Sequence, residues 1–123
     1  MSKLIPSILC DFYKISHRAM YPEGTEVVYS TWTPRASRMK DVDEIVWFGL
    51  QYFIKEYLIK TFNEQFFERP KHEVIGEYIH VITHTLGIEK PETKHLEDLH
   101  DLGYLPLLIK ALPEGTIVPL RTP

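Results

Sequence analysis

The sequence is poor in several features that would point to particular classes of protein. It has one cysteine, Cys10, so no internal disulfide can form and a reducing compartment is expected. No apolar run approaches the roughly 20 residues that span a bilayer, and the opening MSKLIPSIL is too short and too weakly charged for a signal peptide. A net charge of −3 gives no general attraction to nucleic acid or anionic lipid. We therefore expect a cytoplasmic protein that binds neither nucleic acid nor membrane.

Sequence signatures of phosphate loops and metal sites are also missing. Neither GxxxxGK nor GxGxxG occurs. His80 and His84 lie one helical turn apart with Glu77 beside them, a spacing that can hold zinc. However, no cysteine accompanies them, and the glutamate is not placed as in the two-histidine protease motif. We interpret these side chains as the polar face of an amphipathic helix and expect no metal ion and no cofactor on this chain.

What remains is the composition of an ordinary globular domain. Of the 123 residues, 44% are hydrophobic and 25% charged, and this length supports one domain, residues 1–123, with its own core. The last residues, 120–123, follow directly on an apolar, strand-like run, whereas domains usually end in polar, frayed segments. We therefore expect a domain that belongs to something longer.

Four helices are predicted. The first covers residues 7–20, with Asp11 as a possible N-cap and an end near Tyr21 that Pro22 forces. The second covers residues 43–60, preceded by a possible capping box of Asp41 and Glu44, and is so apolar that it needs cover on more than one side. The third runs from Pro70 to Leu86 and stops at Gly87, and its apolar face consists of Ile75, Ile79, Ile82 and Leu86. The fourth lies within PETKHLEDLHDLG and ends at Gly103.

Strands are predicted at two places. Residues 25–33, TEVVYSTWT, are rich in β-branched and aromatic types. Near the end, LPLLIKAL and TIVPL are joined by PEG, which suits a hairpin around a type I turn. The expected fold class is therefore α+β, with several helices packed on a small, mainly antiparallel sheet.

Two groups of polar residues could carry function, and each also has a plain structural explanation. Asp11 and Tyr13 sit in the first turn of a helix, where they could be an N-cap and a partly buried tyrosine. Arg35 and Arg38, with Lys40, form the only compact basic cluster, which suits phosphate but also an ordinary solvated loop. Cys10 is expected to be a small buried side chain rather than a reactive thiol.

Three ordered blocks resemble the amino-terminal region of the nicotinamide phosphoribosyltransferase family. They are DFYKISHRAMYPEGTEVVYSTWTPR, VWFGLQYFIKEYL and GYLPLLIKALPEGTIVP, together a little under half of the chain. The pieces FGLQY and ALPEG separate the chain from the nicotinate-specific relatives, which also carry an Asp-x-Tyr near their start. The intervening residues, about 61–102, match in pattern only.

This resemblance implies a type II phosphoribosyltransferase, which joins nicotinamide to phosphoribosyl pyrophosphate in NAD salvage and acts as a homodimer. It implies that Tyr13 stacks on the nicotinamide ring in the partner's site with Asp11 beside it, and that Arg35 binds phosphate. Magnesium would accompany phosphoribosyl pyrophosphate in the full enzyme. The catalytic α/β barrel would lie beyond residue 123, so we expect this chain alone to be inactive. A nicotinate-specific enzyme and a non-catalytic binding or dimerisation module remain alternatives.

Overall fold

The computed structural model describes residues 4–123, which form short 3-10 turns, four helices and two short strands. The 3-10 segments are Pro6–Ile8 and Phe12–Ser16, and the second continues into α1, His17–Met20. Strand β1 is Glu44–Val46. The helices that follow are α2, residues 50–67, α3, Lys71–Leu86, and α4, Lys94–Leu102, and the chain ends with strand β2, Ile117–Pro119.

The strands β1 and β2 pair in antiparallel fashion across more than seventy residues of chain. Ile45 lies opposite Val118, and the ladder continues past Val46 through a 2.9 Å hydrogen bond from the Trp47 N–H to the Thr116 carbonyl. Together with the four helices, this small antiparallel sheet confirms the expected α+β class.

The helices α3 and α4 form where the sequence predicts them. Pro70 precedes the first residue of α3, and Gly87 ends the helix with φ of +68°. Gly103 ends α4 in the same way, with φ of +78°. A left-handed residue at this position suits glycine because it has no Cβ to clash with the backbone.

The predicted first helix is broken into short pieces. Residues 12–16 form 3-10 turns, which begin with a 2.8 Å bond from the Lys14 N–H to the Asp11 carbonyl, and only His17–Met20 is α-helical. Asp11 occupies the N-cap position, but its side chain makes no capping hydrogen bond. The helix ends at Tyr21 as expected, because the following proline disfavours further helical backbone.

The second helix begins later than predicted and is wound differently. Residues 44–46 belong to β1, and Gly49 turns the chain with φ of +96° before the helix starts at Leu50. After Leu50–Tyr52 the winding becomes π-helical over Phe53–Thr61 and Asn63–Phe67. Asp41 has φ of +59° and lies outside the helix, so the predicted capping box is wrong.

Two of the three predicted strands do not form. Residues 25–33 have no regular structure, because β-branched residues form a strand only where a partner strand satisfies their backbone. Residues 105–112 are likewise not a strand, and TIVPL pairs instead with β1. The PEG turn does form, closed by a 3.2 Å bond from the Thr116 N–H to the Pro113 carbonyl. Its third residue, Gly115, has φ of +88°, which indicates a type II turn rather than type I.

The hydrophobic core lies among the first segment, the end of α2, α3 and α4. Its buried side chains are Ile5, Ile8, Phe62, Phe66, Val74, Ile75, Tyr78, Ile82 and Leu96. The buried face of α3 is thus centred on Val74 and Tyr78, so that Ile79 and Leu86, predicted to share it, are 38% and 42% exposed.

Much apolar surface remains uncovered. The chain exposes 9863 Å², whereas a compact folded monomer of its mass exposes about 6,900 Å². No residue of the Phe53–Thr61 segment of α2 is buried, and Val27, Tyr29 and Leu108 are 84%, 90% and 86% exposed. Among residues 4–123, no helix has both the length and the apolar character that crossing a membrane requires.

Candidate functional site

The segment that carries Asp11 and Tyr13 is attached to the core on its amino-terminal side. Ile5 and Ile8 are buried, and the Ile5 N–H donates to Glu77 Oε1 on α3 over 2.8 Å. Beyond this anchor, Ile15 packs partly against the core. Tyr13, two residues earlier, points outward on the same turn.

The Tyr13 ring is an exposed platform with a positively charged neighbour. It is 61% exposed, and the Lys14 ammonium lies 5.0 Å from its centroid. The His17 ring is tilted beside it, with centroids 5.4 Å apart, and the Ser16 hydroxyl donates to the Tyr13 carbonyl over 2.8 Å. These contacts fix the turn and leave the ring accessible to a flat partner.

A groove of about 750 Å³ runs between this segment and α3, and Tyr13 lines it. Its apolar wall includes Phe12, Ile15, Tyr78, Ile82, Leu86 and Ile88, and its polar wall includes Arg18, Glu92 and His95. An ion pair between Arg18 and Glu92 joins the two sides of the groove. Sequence reasoning missed these three polar residues, since nothing in the sequence signals a contact between positions this far apart.

His95 lies half-buried in the groove wall. Its Nδ1 is 3.8 Å from Glu92 Oε2, and its ring meets Tyr78 edge to face. Burial, and then the positive charge of Arg18, lower the pKa of His95, while Asp98 acts in the opposite direction. Protonation of the imidazole is therefore less favourable in the folded protein than in an unfolded chain.

Asp11 and Cys10 lie on the surface outside the lining of this groove. The expectation that Cys10 is buried is therefore wrong, because the chain passes over the surface between its two 3-10 segments. Partial burial of the thiol, followed by the negative charge of Asp11, raises the pKa of Cys10, and this opposes formation of a reactive thiolate.

Arg35 is exposed in a different part of the surface. The loop that carries it runs from Arg35 to Lys40, and Arg38 and Lys40 are exposed as well. A 2.7 Å bond from the Arg121 N–H to the Pro34 carbonyl holds this loop beside the end of β2. Of the three predicted site residues, the structure brings Tyr13 to the groove, while Asp11 and Arg35 do not line it.

Two of the three histidines of α3, His80 and His84, have neighbouring rings. The ring centroids are 4.2 Å apart with the planes tilted by 39°, and His84 Nδ1 lies 2.7 Å from the His80 carbonyl oxygen. Across residues 4–123, no three side chains of the ligating types His, Cys, Asp and Glu come close enough to share a metal ion.

Comparison with known proteins decides the family. Residues 7–89 match the family model described as the nicotinamide phosphoribosyltransferase N-terminal domain. The chain belongs to this family. It is 49% identical over 98% of its length to the nicotinamide phosphoribosyltransferase of Acinetobacter baylyi, and 45% identical over 46% of its length to the enzyme of that name from Mycoplasma genitalium. No solved structure matches it significantly.

The chain is much shorter than these relatives. It spans 25% of the Acinetobacter baylyi protein, and its match covers 12% of the Mycoplasma genitalium protein. The shared part is thus the amino-terminal domain, which carries Asp11, Tyr13 and Arg35. Both relatives bear the nicotinamide rather than the nicotinate name, so the nicotinate-specific alternative is not favoured.

Proposed function

We propose that this chain is the amino-terminal domain of an enzyme that transfers phosphoribosyl from phosphoribosyl pyrophosphate to nicotinamide. The products are nicotinamide mononucleotide and pyrophosphate. The observation that carries the proposal is the 49% identity with the Acinetobacter baylyi enzyme over nearly the whole chain. In the proposed enzyme, the catalytic barrel would lie outside residues 1–123, and a magnesium ion would arrive with phosphoribosyl pyrophosphate. Residues 1–123 alone are expected to be inactive.

Within this proposal, Tyr13 supplies a stacking surface for nicotinamide. The Lys14 ammonium and the His17 ring lie beside its ring, and the side chain remains 61% exposed, which leaves surface for a flat pyridine ring. Stacking of two aromatic rings adds about 0.5–1.5 kcal/mol to simple area burial and also fixes the orientation of the ligand. Asp11 lies two residues before Tyr13 on the same turn, and its carboxylate is proposed to accept a hydrogen bond from the amide group of nicotinamide.

Arg35 is proposed to bind a phosphate group of the substrate. Its guanidinium is exposed and offers a planar fork that matches phosphate oxygens. Holding the sugar phosphate in position matters, since the transition state needs the attacking nitrogen and the leaving pyrophosphate in line. The positive charge also offsets the negative charge on the leaving group.

The site is proposed to be completed across the interface of a homodimer in the cytoplasm. Two observations support this assembly. Tyr13 projects outward rather than into its own core, and the chain exposes far more surface than a compact monomer of its mass. Large exposed apolar patches usually mark a surface that another protein part covers.

The experiment is a kinetic comparison of variants in the complete enzyme that carries this domain. Tyr13→Ala is expected to raise the KM for nicotinamide roughly two- to tenfold, the factor that corresponds to the loss of stacking. Tyr13→Phe keeps the ring and should cost little. Arg35→Ala should raise the KM for phosphoribosyl pyrophosphate instead, and more strongly at low salt. If Tyr13→Ala leaves the nicotinamide KM unchanged, Tyr13 does not contact the base.

A further inference from the structure

Two backbone hydrogen bonds join the end of β2 to Pro34 and Asp43, which flank the basic loop of Arg35 to Lys40. The Arg121 N–H donates to the Pro34 carbonyl, and the Leu120 N–H donates to the Asp43 carbonyl, each over 2.7 Å. The first bond places Arg121 beside the peptide that leads into Arg35. Two arginines far apart in the sequence therefore emerge from adjacent points of the surface.

The backbone at this place is strained. Within residues 4–123, only two residues other than glycine have a positive φ, namely Asp41 at +59° and Arg121 at +70°. Both belong to the two segments that these hydrogen bonds join. Arg121 is the third residue of a turn closed by a 3.3 Å bond from the Thr122 N–H to the Pro119 carbonyl. Glycine or asparagine is the usual residue there, so an arginine with its long charged side chain carries a conformational cost.

The charges at this place are not balanced by ion pairs. Arg121, Arg35, Arg38 and Lys40 are all exposed, and none of the four takes part in an ion pair in the described part of the chain. Like charges on neighbouring segments repel one another, and a bound anion relieves the repulsion. The carboxylates of Asp41 and Asp43 are the nearest acidic groups in the sequence, and pairing with them is the competing explanation.

We propose that Arg121 is a second phosphate-binding residue that acts with Arg35 on one phosphate group of phosphoribosyl pyrophosphate. This rests on the proposed function for the role of Arg35, and it extends that site to a residue which the resemblance does not include. Two guanidinium forks on neighbouring points of the backbone can approach one phosphate from two directions. The strained backbone at Arg121 is then the means by which the turn aims its side chain at the ligand.

The test uses the complete enzyme and the variant Arg121→Gly. Glycine adopts a φ of +70° without strain, so this change removes the charge while the fold keeps or gains stability. Both the KM and the Kd for phosphoribosyl pyrophosphate, the latter by calorimetry without nicotinamide, should rise about tenfold, the loss expected for one hydrogen-bonded charge. The KM for nicotinamide should stay within about twofold, and the Tm should not fall.

Two further variants separate phosphate binding by the Arg121 guanidinium from a general effect of positive charge on the surface. Arg121→Lys keeps the charge but loses the planar fork, so its affinity should lie between those of the wild type and Arg121→Gly. Lys110→Gln removes an exposed cation elsewhere and should leave the affinity unchanged. If both arginines bind one phosphate, Arg35→Gln combined with Arg121→Gly should weaken binding by less than the product of the two single losses.

The outcomes distinguish the two proposals. If the wild type binds phosphoribosyl pyrophosphate and Arg121→Gly binds it equally well, the proposed role of Arg121 is wrong, while the proposed function of the enzyme stands. If the wild type does not bind this substrate, both proposals fall. A lower Tm for Arg121→Gly with unchanged affinity would show that Arg121 pairs with the nearby carboxylates instead.

Discussion

The Glu114 carboxylate accepts a hydrogen bond of 2.7 Å from the backbone N–H of Gln51, which lies 63 residues earlier in the chain. Gln51 is in the first turn of α2, and Gly49 at the N-cap has no side chain to satisfy these N–H groups. The turn of residues 113–116 thus caps α2 from a distance. The negative charge of Glu114 also lies at the positive end of the helix dipole.

The first prediction concerns this remote cap. Glu114→Ala should lower the free energy of unfolding by about 1 kcal/mol, the typical value of a helix cap. Glu114→Gln keeps an acceptor oxygen and should cost less. Urea denaturation measures both, with Glu26→Ala in an exposed loop as control. A loss for Glu26→Ala equal to that for Glu114→Ala would show that the cap contributes nothing specific.

A second prediction concerns Glu77, which ties the first segment to α3. Its Oε1 accepts from the Ile5 N–H, and its Oε2 pairs with the Arg69 guanidinium at 2.9 Å, where the two side chains are only 24% and 17% exposed. Glu77→Gln leaves a partly buried arginine without its countercharge and should cost about 1.5–3 kcal/mol. Glu73→Gln, in the exposed first turn of α3, is the matched control. Equal stability of the two variants would contradict this account.

A third prediction follows from His95. Its pKa is lowered in the folded protein, mainly by burial, below the value of about 6.5 expected for an unfolded chain. The unfolded state therefore binds more protons around and below this value, and stability should fall as the pH drops below about 6.5. The groups that face His95 are Arg18, Glu92, Asp98 and the Tyr78 ring.

The measurement is urea unfolding at several pH values between about 7.5 and 5.5. His95→Gln should make the decline in stability shallower, since it removes the group whose protonation differs between the two states. His72→Gln on the exposed face of α3 should keep the slope of the wild type. If the two variants show the same slope, His95 is not the source of the pH dependence.

The parts of the fold that the sequence predicts well are those with local causes. The ends of α3 and α4 follow from Pro70, Gly87 and Gly103, whose effect on the backbone is local. The pairing of β1 with β2 is not local, and residues 25–33 have the same strand-like composition as true strands but lack a partner. β-Propensity describes how a side chain fits a paired surface, so it cannot by itself identify the partner.

The candidate site likewise has residues that the sequence draws attention to and others that only the tertiary fold brings together. Tyr13 stands out in the sequence as a phenol in the first turn of a short helical segment, but only the family resemblance suggests a role for it; the structure places it in the lining of the groove. The Arg18–Glu92 pair and the proximity of Arg121 to Arg35 could not be predicted, because each depends on how distant segments fold together. Side chains that meet through tertiary packing leave no spacing pattern in the sequence.

A fourth prediction concerns the uncovered apolar surface. The isolated domain should bind a hydrophobic dye or self-associate, because apolar patches larger than a few hundred Å² rarely stay exposed in a monomer. Leu108→Lys, at a side chain that is 86% exposed, should reduce both effects without loss of helical content. Ala111→Lys, the control, adds the same charge nearby but removes no large apolar side chain, so it should reduce both effects less. A wild-type domain that is monomeric by light scattering and binds no dye would contradict the prediction.

The most direct test of the central claim mixes a weakened and an inactive form of the complete enzyme and lets the dimers exchange. One subunit carries Tyr13→Ala, and the other keeps Tyr13 but has an inactivating substitution in the catalytic part beyond residue 123. Some mixed dimers then combine an intact Tyr13 with an intact catalytic part, and each should hold one working site. The account predicts that nicotinamide mononucleotide formation at low nicotinamide rises on mixing above the mean of the two unmixed forms. No such rise, in dimers shown to have exchanged, would mean that Tyr13 serves no site across the interface.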